Sequence, residues 1–257
     1  MGASLNHNVQ AADFGNWMSK QIIYFPALIG VAFLAAGFFF WPLWVVSIIF
    51  LGLAAYFVYA RYLFSPKGGN VQHQIWNLVL TNLAWDGDGR VLDIGCGNGA
   101  LSVKLATKYP SAQVTGIDYW GAKWDYSKGI CEANARVEKV AERVVFQKAS
   151  ASRLPFDDGY FDAVVSNLCF HEVANAKDKR AVIQEALRVV KKGGKFAFQD
   201  LFSLKQLYGT PQELVETIKS WGVAEVEFVE TRNAPFIPSA LKLPLMMGRI
   251  GLIRGKK

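Results

Sequence analysis

Arg90–Ser102 reads RVLDIGCGNGALS, and the reading of this stretch decides the fold. Val91, Leu92 and Ile94 are apolar and strand-prone, Asp93 stands at the strand's end, and Gly95, Gly97 and Gly99 alternate behind it. Ala100–Lys108 then has helical character. A strand that turns through glycines into a helix brings bare backbone N–H groups against a ligand. A second apolar strand, Gln113–Ile117, ends in Asp118, 19 residues beyond Gly99. A carboxylate at that distance is placed to accept hydrogen bonds from two ribose hydroxyls, so the pair of strands fits a nucleotide-type cofactor.

Dinucleotide dehydrogenases favour GxGxxG. This chain instead has DxGxGxG, with Asp93 two residues before Gly95. It closely resembles motif I of the class I S-adenosylmethionine (SAM) methyltransferases. The resemblance covers about Val71 to Lys257 and implies an α/β fold with a doubly wound, mostly parallel, seven-stranded sheet. It implies that Asp93, Gly95 and Gly97 hold the methionine end of SAM, with Cys96 and Asn98 of the same loop also binding the cofactor. Asp118 takes the ribose, Tyr119 and the Ser150–Ala151 backbone take the adenine, and Asn167 forms the wall beside the sulfonium. An aromatic at Tyr119 would equally suit the core. Ser150 is a departure, because many relatives carry an Asp there that accepts from the adenine amino group; a serine oxygen would accept the same bond without charge.

The strand Phe161–Asn167 runs directly into Leu168-Cys169-Phe170-His171-Glu172. In a doubly wound sheet the C-terminal end of such a strand is where substrate meets cofactor. His171 is the histidine placed for chemistry, since His7 lies before the apolar block and His73 near a linker. Its ordinary pKa near 6.5 suits a general base; the alternatives are that it orients a loop or bonds the SAM carboxylate. Glu172 is the candidate to orient that imidazole or to bind a cationic substrate, and otherwise a loop carboxylate.

The 257 residues allow one domain of ordinary size plus an extension. No charged residue occurs between Lys20 and Arg61, and the net charge of +7 is carried almost wholly by the rest. A basic surface beside an apolar anchor suits anionic headgroups, although a solvated basic face explains it equally. No cluster of Arg or Lys with aromatics suggests nucleic acid. Cys96, Cys131 and Cys169 form neither a disulfide framework nor a zinc spacing, and no metal is expected.

Residues 1–19 do not resemble a cleavable signal peptide, and Asn8–Lys20 has the makings of a short surface helix. As one helix, Ile22–Ala60 would run about 58 Å, roughly twice a bilayer's hydrocarbon core. Pro42 divides it into candidate spans 22–41 and 43–60, with Trp41 and Trp44 at one end and Tyr59, Arg61 and Tyr62 at the other. We expect a transmembrane hairpin with a very tight turn, its helices approaching at Ala32 and Ala36. The alternatives are a buried soluble hairpin and one lying shallowly in a leaflet. Lys20, Arg61 and Lys67 share one side, so the positive-inside rule places both ends and the catalytic domain in the cytoplasm. The expected organisation is residues 1–64 as N-terminal segment and hairpin, 65–70 as linker and 71–257 as methyltransferase domain.

The remaining pattern predicts helices over Val71–Trp85, Asp125–Glu142, Lys177–Val190 and Pro211–Trp221. It predicts strands over Val144–Lys148 and Lys195–Leu201, and a final antiparallel pair over Val223–Thr231 and Arg249–Arg254. Between that last pair, Ala234–Met247 is apolar, proline-broken and free of acids; it either caps the site or dips into a membrane interface. The expected partners are the lipid bilayer and a lipophilic small molecule (lipid, quinone-like, sterol-like or thiol), with homo-oligomerisation through the hairpin left open. A membrane-protein methyltransferase and a non-catalytic SAM-binding module are the other readings.

Overall fold

The computed structural model describes residues 11–121 and 126–257. Two long helices come first, α1 (Lys20–Ala36) and α2 (Leu43–Phe64), followed by α3 (Val71–Asn82). Alternating elements follow: β1 (Gly89–Ile94), α4 (Ala100–Lys108), β2 (Ala112–Asp118), α5 (Lys128–Val137), β3 (Val144–Lys148), β4 (Phe161–Asn167), α6 (Lys179–Arg188) and β5 (Val190–Asp200). The chain closes with α7 (Lys205–Tyr208), α8 (Pro211–Ser220), β6 (Glu225–Val229) and β7 (Gly251–Lys256). It divides into two compact units, residues 1–15, 76–234 and 244–257 in one and residues 16–75 and 235–243 in the other. Part of the β6–β7 connection thus groups with the two long helices.

The first unit holds a seven-stranded sheet of order β3-β2-β1-β4-β5-β7-β6. The first five strands are parallel and β7 runs antiparallel between β5 and β6. Residues Val91, Leu92 and Ile94 of β1 and Ala163, Val164 and Val165 of β4 are fully buried, as expected of parallel strands covered on both faces. Phe161, Phe170, Phe196, Phe198 and Phe202 join Ile183, Leu187, Leu214 and Ile218 in one continuous core. The expected strands fall close to those observed, but β5 starts at Val190, with an irregular register against β4 between Phe161 and Ala163. Thr210 caps α8 in a reciprocal capping box with Glu213, and Pro211 opens the helix.

At the end of β1 the backbone turns through Gly95 (φ 75°), Gly97 (φ 57°) and Gly99 (φ 80°). The N–H groups of Gly95 and Cys96 both donate to Ile117 O, at 2.8 and 2.9 Å. This ties the turn to the neighbouring strand.

In the second unit, α1 and α2 pack as a hairpin. Several expectations are corrected here. The first helix ends at Ala36, not at residue 41, and the second continues to Phe64, past 60. Six non-helical residues, 37–42, join them in place of a very tight turn at Pro42. Gly37 follows α1 with dihedral angles still in the helical region, and a Cβ there would overlap the Trp44 ring. Close approach occurs at Gly30, which packs on Leu51, and the Gly30 carbonyl accepts the Ser47 hydroxyl at 2.8 Å; Ala32 is exposed. Of the two, only α2 is both long and apolar enough to cross a membrane, while α1 is a 17-residue apolar helix. Residues 11–19 are not helical, so the surface helix expected over 8–20 does not form within the described part. Likewise α3 stops at Asn82, short of Trp85. Residue 125, the expected start of one helix, lies outside the described residues. Within the same unit the Tyr56 hydroxyl donates to Ala240 O at 2.8 Å.

A side chain at Gly95 would stand 2.5 Å from Cys169 Sγ in a left-handed backbone conformation. Gly95→Ala is therefore expected to lower stability by about 1–3 kcal/mol, read as a fall in the urea midpoint at unchanged slope.

Candidate active site

The candidate residues gather at the C-terminal ends of β1, β2, β4 and β5. Asp93 is 1% exposed, and its Oδ2 accepts the Ser102 hydroxyl at 2.6 Å. Burial pushes its carboxyl up to about 7, partly offset by the Ser102 bond, with the nearby Asp118 charge adding to the rise. Cys96 is buried in the same turn, and burial pushes its thiol well up, with Cys131 beside it. Cys96 is a poor nucleophile in that state. Cys131 Sγ donates to Gly97 O at 3.1 Å. Asn98 Oδ1 accepts from Ser127 N at 3.3 Å, which brings the start of α5 to the loop.

Asp118 holds the loop from the other side. Its Oδ2 accepts Gly97 N–H at 2.9 Å and its Oδ1 accepts Trp120 N–H at 2.8 Å. An ionised carboxylate offers about four lone-pair positions, of which donors among the described residues take two. This observation fits the ribose of SAM. Tyr119 follows, 65% exposed, with Lys148 Nζ 5.0 Å from its ring centroid. A large aromatic left in solvent beside a ribose-ready carboxylate suits a flat base. Trp120 was not singled out by sequence. It adopts φ 43°, a strained conformation for a bulky residue, and its indole N–H donates to Gly97 O at 2.9 Å. Across β3, the Ser150 hydroxyl lies 2.9 Å from that of Ser152, and Ala151 is buried. Asn167 Oδ1 accepts from Gln199 Nε2 at 3.0 Å.

His171 sits in a short 3₁₀ turn, Phe170–Glu172, after β4. Its Nδ1 is 2.7 Å from Asp200 Oδ1, and its Nε2 is 3.7 Å from Glu172 Oε1. The group that orients the imidazole is therefore Asp200, with Glu172 at the longer distance on the other nitrogen. Sequence reading missed Asp200, although an acid ending the buried strand FAFQD is the kind of signal that marks it. Asp200 is fully buried and accepts N–H groups from Phe170 (2.8 Å), His171 (3.4 Å) and Leu201 (2.6 Å) besides the imidazole. A carboxylate so surrounded by donors acts as an acceptor, which puts the imidazole proton on Nδ1, with Nε2 on the side of Glu172. The Tyr208 hydroxyl is buried nearby and makes no hydrogen bond to a described residue. Burial, then the Asp200 charge, raises its pKa.

Two outcomes follow for SAM binding. A bound ammonium or sulfonium lowers the carboxyl pKa of Asp93, so below about pH 7 binding releases a proton. Affinity therefore rises with pH toward 7 and then levels off. Titration calorimetry in buffers of different ionisation enthalpy reads this directly, and Asp93→Asn should abolish the dependence. Asp118→Ala should weaken SAM by about 1–3 kcal/mol through lost charge-assisted hydrogen bonds.

Comparison with known proteins agrees with this geometry. Residues 92–198 match a family described as a methyltransferase domain. Over 113 residues the chain is 39% identical to a 27-O-demethylrifamycin SV methyltransferase of Amycolatopsis mediterranei, covering 43% of this chain and 38% of that protein. Over 125 residues it is 33% identical to a ubiquinone/menaquinone biosynthesis C-methyltransferase, UbiE, of Desulfotalea psychrophila, covering 48% and 46%. The matched stretch thus spans less than half of each relative. Among solved structures, a geranyl diphosphate C-methyltransferase from Streptomyces coelicolor superposes with TM-score 0.56 at 15% identity, over 73% of this chain and 76% of that one. This last likeness shows the fold. Residues 92–198 accordingly form a SAM-dependent methyltransferase domain, with S-adenosyl-L-methionine as its cofactor.

Proposed function

We propose that the whole protein is a membrane-anchored methyltransferase acting on a lipophilic small molecule. The observation that carries this reading is the exposure of the hairpin. Phe25 and Leu28 are each 71% exposed, Phe39 95% and Ile48 70%. A core helix of a water-soluble protein would cover these side chains, and a lipid environment does so instead. At 1.5 Å per residue α2 reaches ~33 Å, enough for a hydrocarbon core, and α1 ~26 Å. The exposed residues Phe38–Trp41 extend the apolar surface at the hairpin's tip. In this reading both helices cross the membrane, and Lys20, Arg61 and Lys67 hold the open end in the cytoplasm.

An anchor concentrates the enzyme where lipids, quinones and sterols reside. The UbiE relative and the geranyl diphosphate enzyme are named for lipophilic acceptors, which supports the same substrate class here. The segment Lys242–Leu245 supports it further: all four residues are exposed, Leu245 by 96%, and no acid occurs after Glu230. Such a segment suits an anionic interface.

The methyl group of SAM is already activated, so the domain mainly supplies proximity and orientation. In-line attack by the acceptor on the methyl carbon breaks the carbon–sulfur bond and releases S-adenosylhomocysteine. His171, oriented by Asp200, takes the acceptor's proton at Nε2.

With methyl-labelled SAM and a membrane extract, label is expected in the organic phase. Label in precipitated protein would redirect the reading to a membrane-protein substrate, and SAM binding without transfer to a non-catalytic module. His171→Ala and Asp200→Ala should each slow transfer by roughly 10²–10⁴ while SAM affinity stays unchanged.

A further inference from the structure

Among the described residues, one polar side chain joins three pieces of the cofactor region, and the function above does not use it. Asn134 lies on α5 and is 3% exposed. Its Oδ1 accepts the Asp13 N–H at 2.9 Å, while its Nδ2 donates to Asp13 O at 2.8 Å and to Asn98 O at 2.9 Å. Both amide hydrogens are used and so is the oxygen. The reciprocal pair with Asp13 holds a backbone unit 121 residues away, in the manner of a strand neighbour. The third bond grips the glycine loop itself.

The segment held in this way comes close to that loop. Asp13 Oδ1 accepts Gly15 N–H at 2.9 Å, folding the chain into a tight turn with Gly15 at φ 71°. A Cβ on Gly15 would lie 3.4 Å from Asn98 Nδ2 and 3.5 Å from the Tyr126 ring. A Cβ on Gly97 would lie 3.4 Å from the same ring. Tyr126 is therefore a shared neighbour of residue 15 and of the loop assigned to the methionine end of SAM. The segment itself is lightly anchored: Ala11, Asp13 and Gly15 are exposed, no sheet pairing includes them, and Phe14 contributes an edge contact to Trp76 at 6.0 Å between centroids. Few buried contacts and exposed backbone bonds are the marks of a part that opens more readily than the core beneath it.

We propose that Asn134 is a positioning residue that latches residues 11–15 as a strap over the glycine loop, and that SAM binding and release pass through opening of this latch. The inference rests on the assignment of that loop to SAM. It assigns the N-terminal strap a role in the rate of cofactor exchange, because it closes over a ligand held mainly by other residues.

The test uses the full chain in lipid nanodiscs with SAM alone as probe, and stopped-flow measurement of association and dissociation. Asn134→Ala removes the latch. Asp13→Pro removes the strap's N–H, together with the carboxylate that accepts Gly15 N–H, while leaving the bond from Asn134 to Asn98, and it sits at an exposed position. Both variants should raise the association and dissociation rates together, by tenfold or more, with the dissociation constant changed by less than about threefold. Hydrogen exchange should speed up at residues 11–15 and not in the sheet. Unchanged rates with a demonstrably loosened strap would overturn the latch, as would a weakened dissociation constant at an unchanged association rate, the result of simple structural damage. Absence of SAM binding by the parent protein would overturn the loop assignment as well.

Discussion

The structure depends on the way the chain leaves β1. Three residues with left-handed backbone must fit a space already crowded by neighbouring elements: Cys169 stands against Gly95, Phe146 and Cys131 against Gly99, and the Ile117 carbonyl against two successive N–H groups. Glycine satisfies both demands, since it tolerates the dihedral angles and offers no Cβ. The consequence is that α4 begins in one place relative to four strands. The side chains that follow inherit that placement: Ser102 reaches Asp93, and Asn98 meets the start of α5. The turn is thus held in place by its neighbours.

Three acids mark the C-terminal end of the sheet, and each is treated differently. Asp93 is buried against the hydroxyl and backbone of Ser102, and burial makes it resist ionisation. Asp118 is half-buried and receives two backbone N–H groups. Asp200 is fully buried and receives three backbone N–H groups and an imidazole. Their partners differ accordingly: Asp93 leans on Ser102, Asp118 on backbone N–H groups of the turn, and Asp200 on backbone N–H groups and the His171 imidazole. A sheet edge gathering negative charge also suits a cofactor with a positive sulfur.

What was legible in the sequence was local. The glycine spacing and the distance to Asp118 can be read along the chain, because a strand, a turn and a helix have fixed repeats. The order of β–α units yields the sheet for the same reason. Asp200 and Asn134 were not legible. Each acts on residues 29 to 121 positions away, and only the folded backbone brings them together. The hairpin shows a different limit. Apolar composition runs without interruption through Gly37-Phe38-Phe39-Phe40, so hydropathy carries no mark of the helix end. Similarly, small residues were expected to mark the close helix contact, but Gly30 opposite Ser47 and Leu51 makes it, and which small residue is used depends on helix rotation.

The strand order has a consequence for how the chain acquires its fold. β6 pairs with β7 alone, and β7 lies between β6 and β5 although it is made after both. Synthesis proceeds from the N-terminus, so β5 keeps an open edge, and β6 no partner, until residues 251–256 have left the ribosome. An open edge of a strand as apolar as Phe196–Phe198 invites pairing with another chain. The long connection 230–250 sets that delay, and at a membrane surface the same apolar segment would hold the unfinished chain near the bilayer while the sheet waits for its last strand.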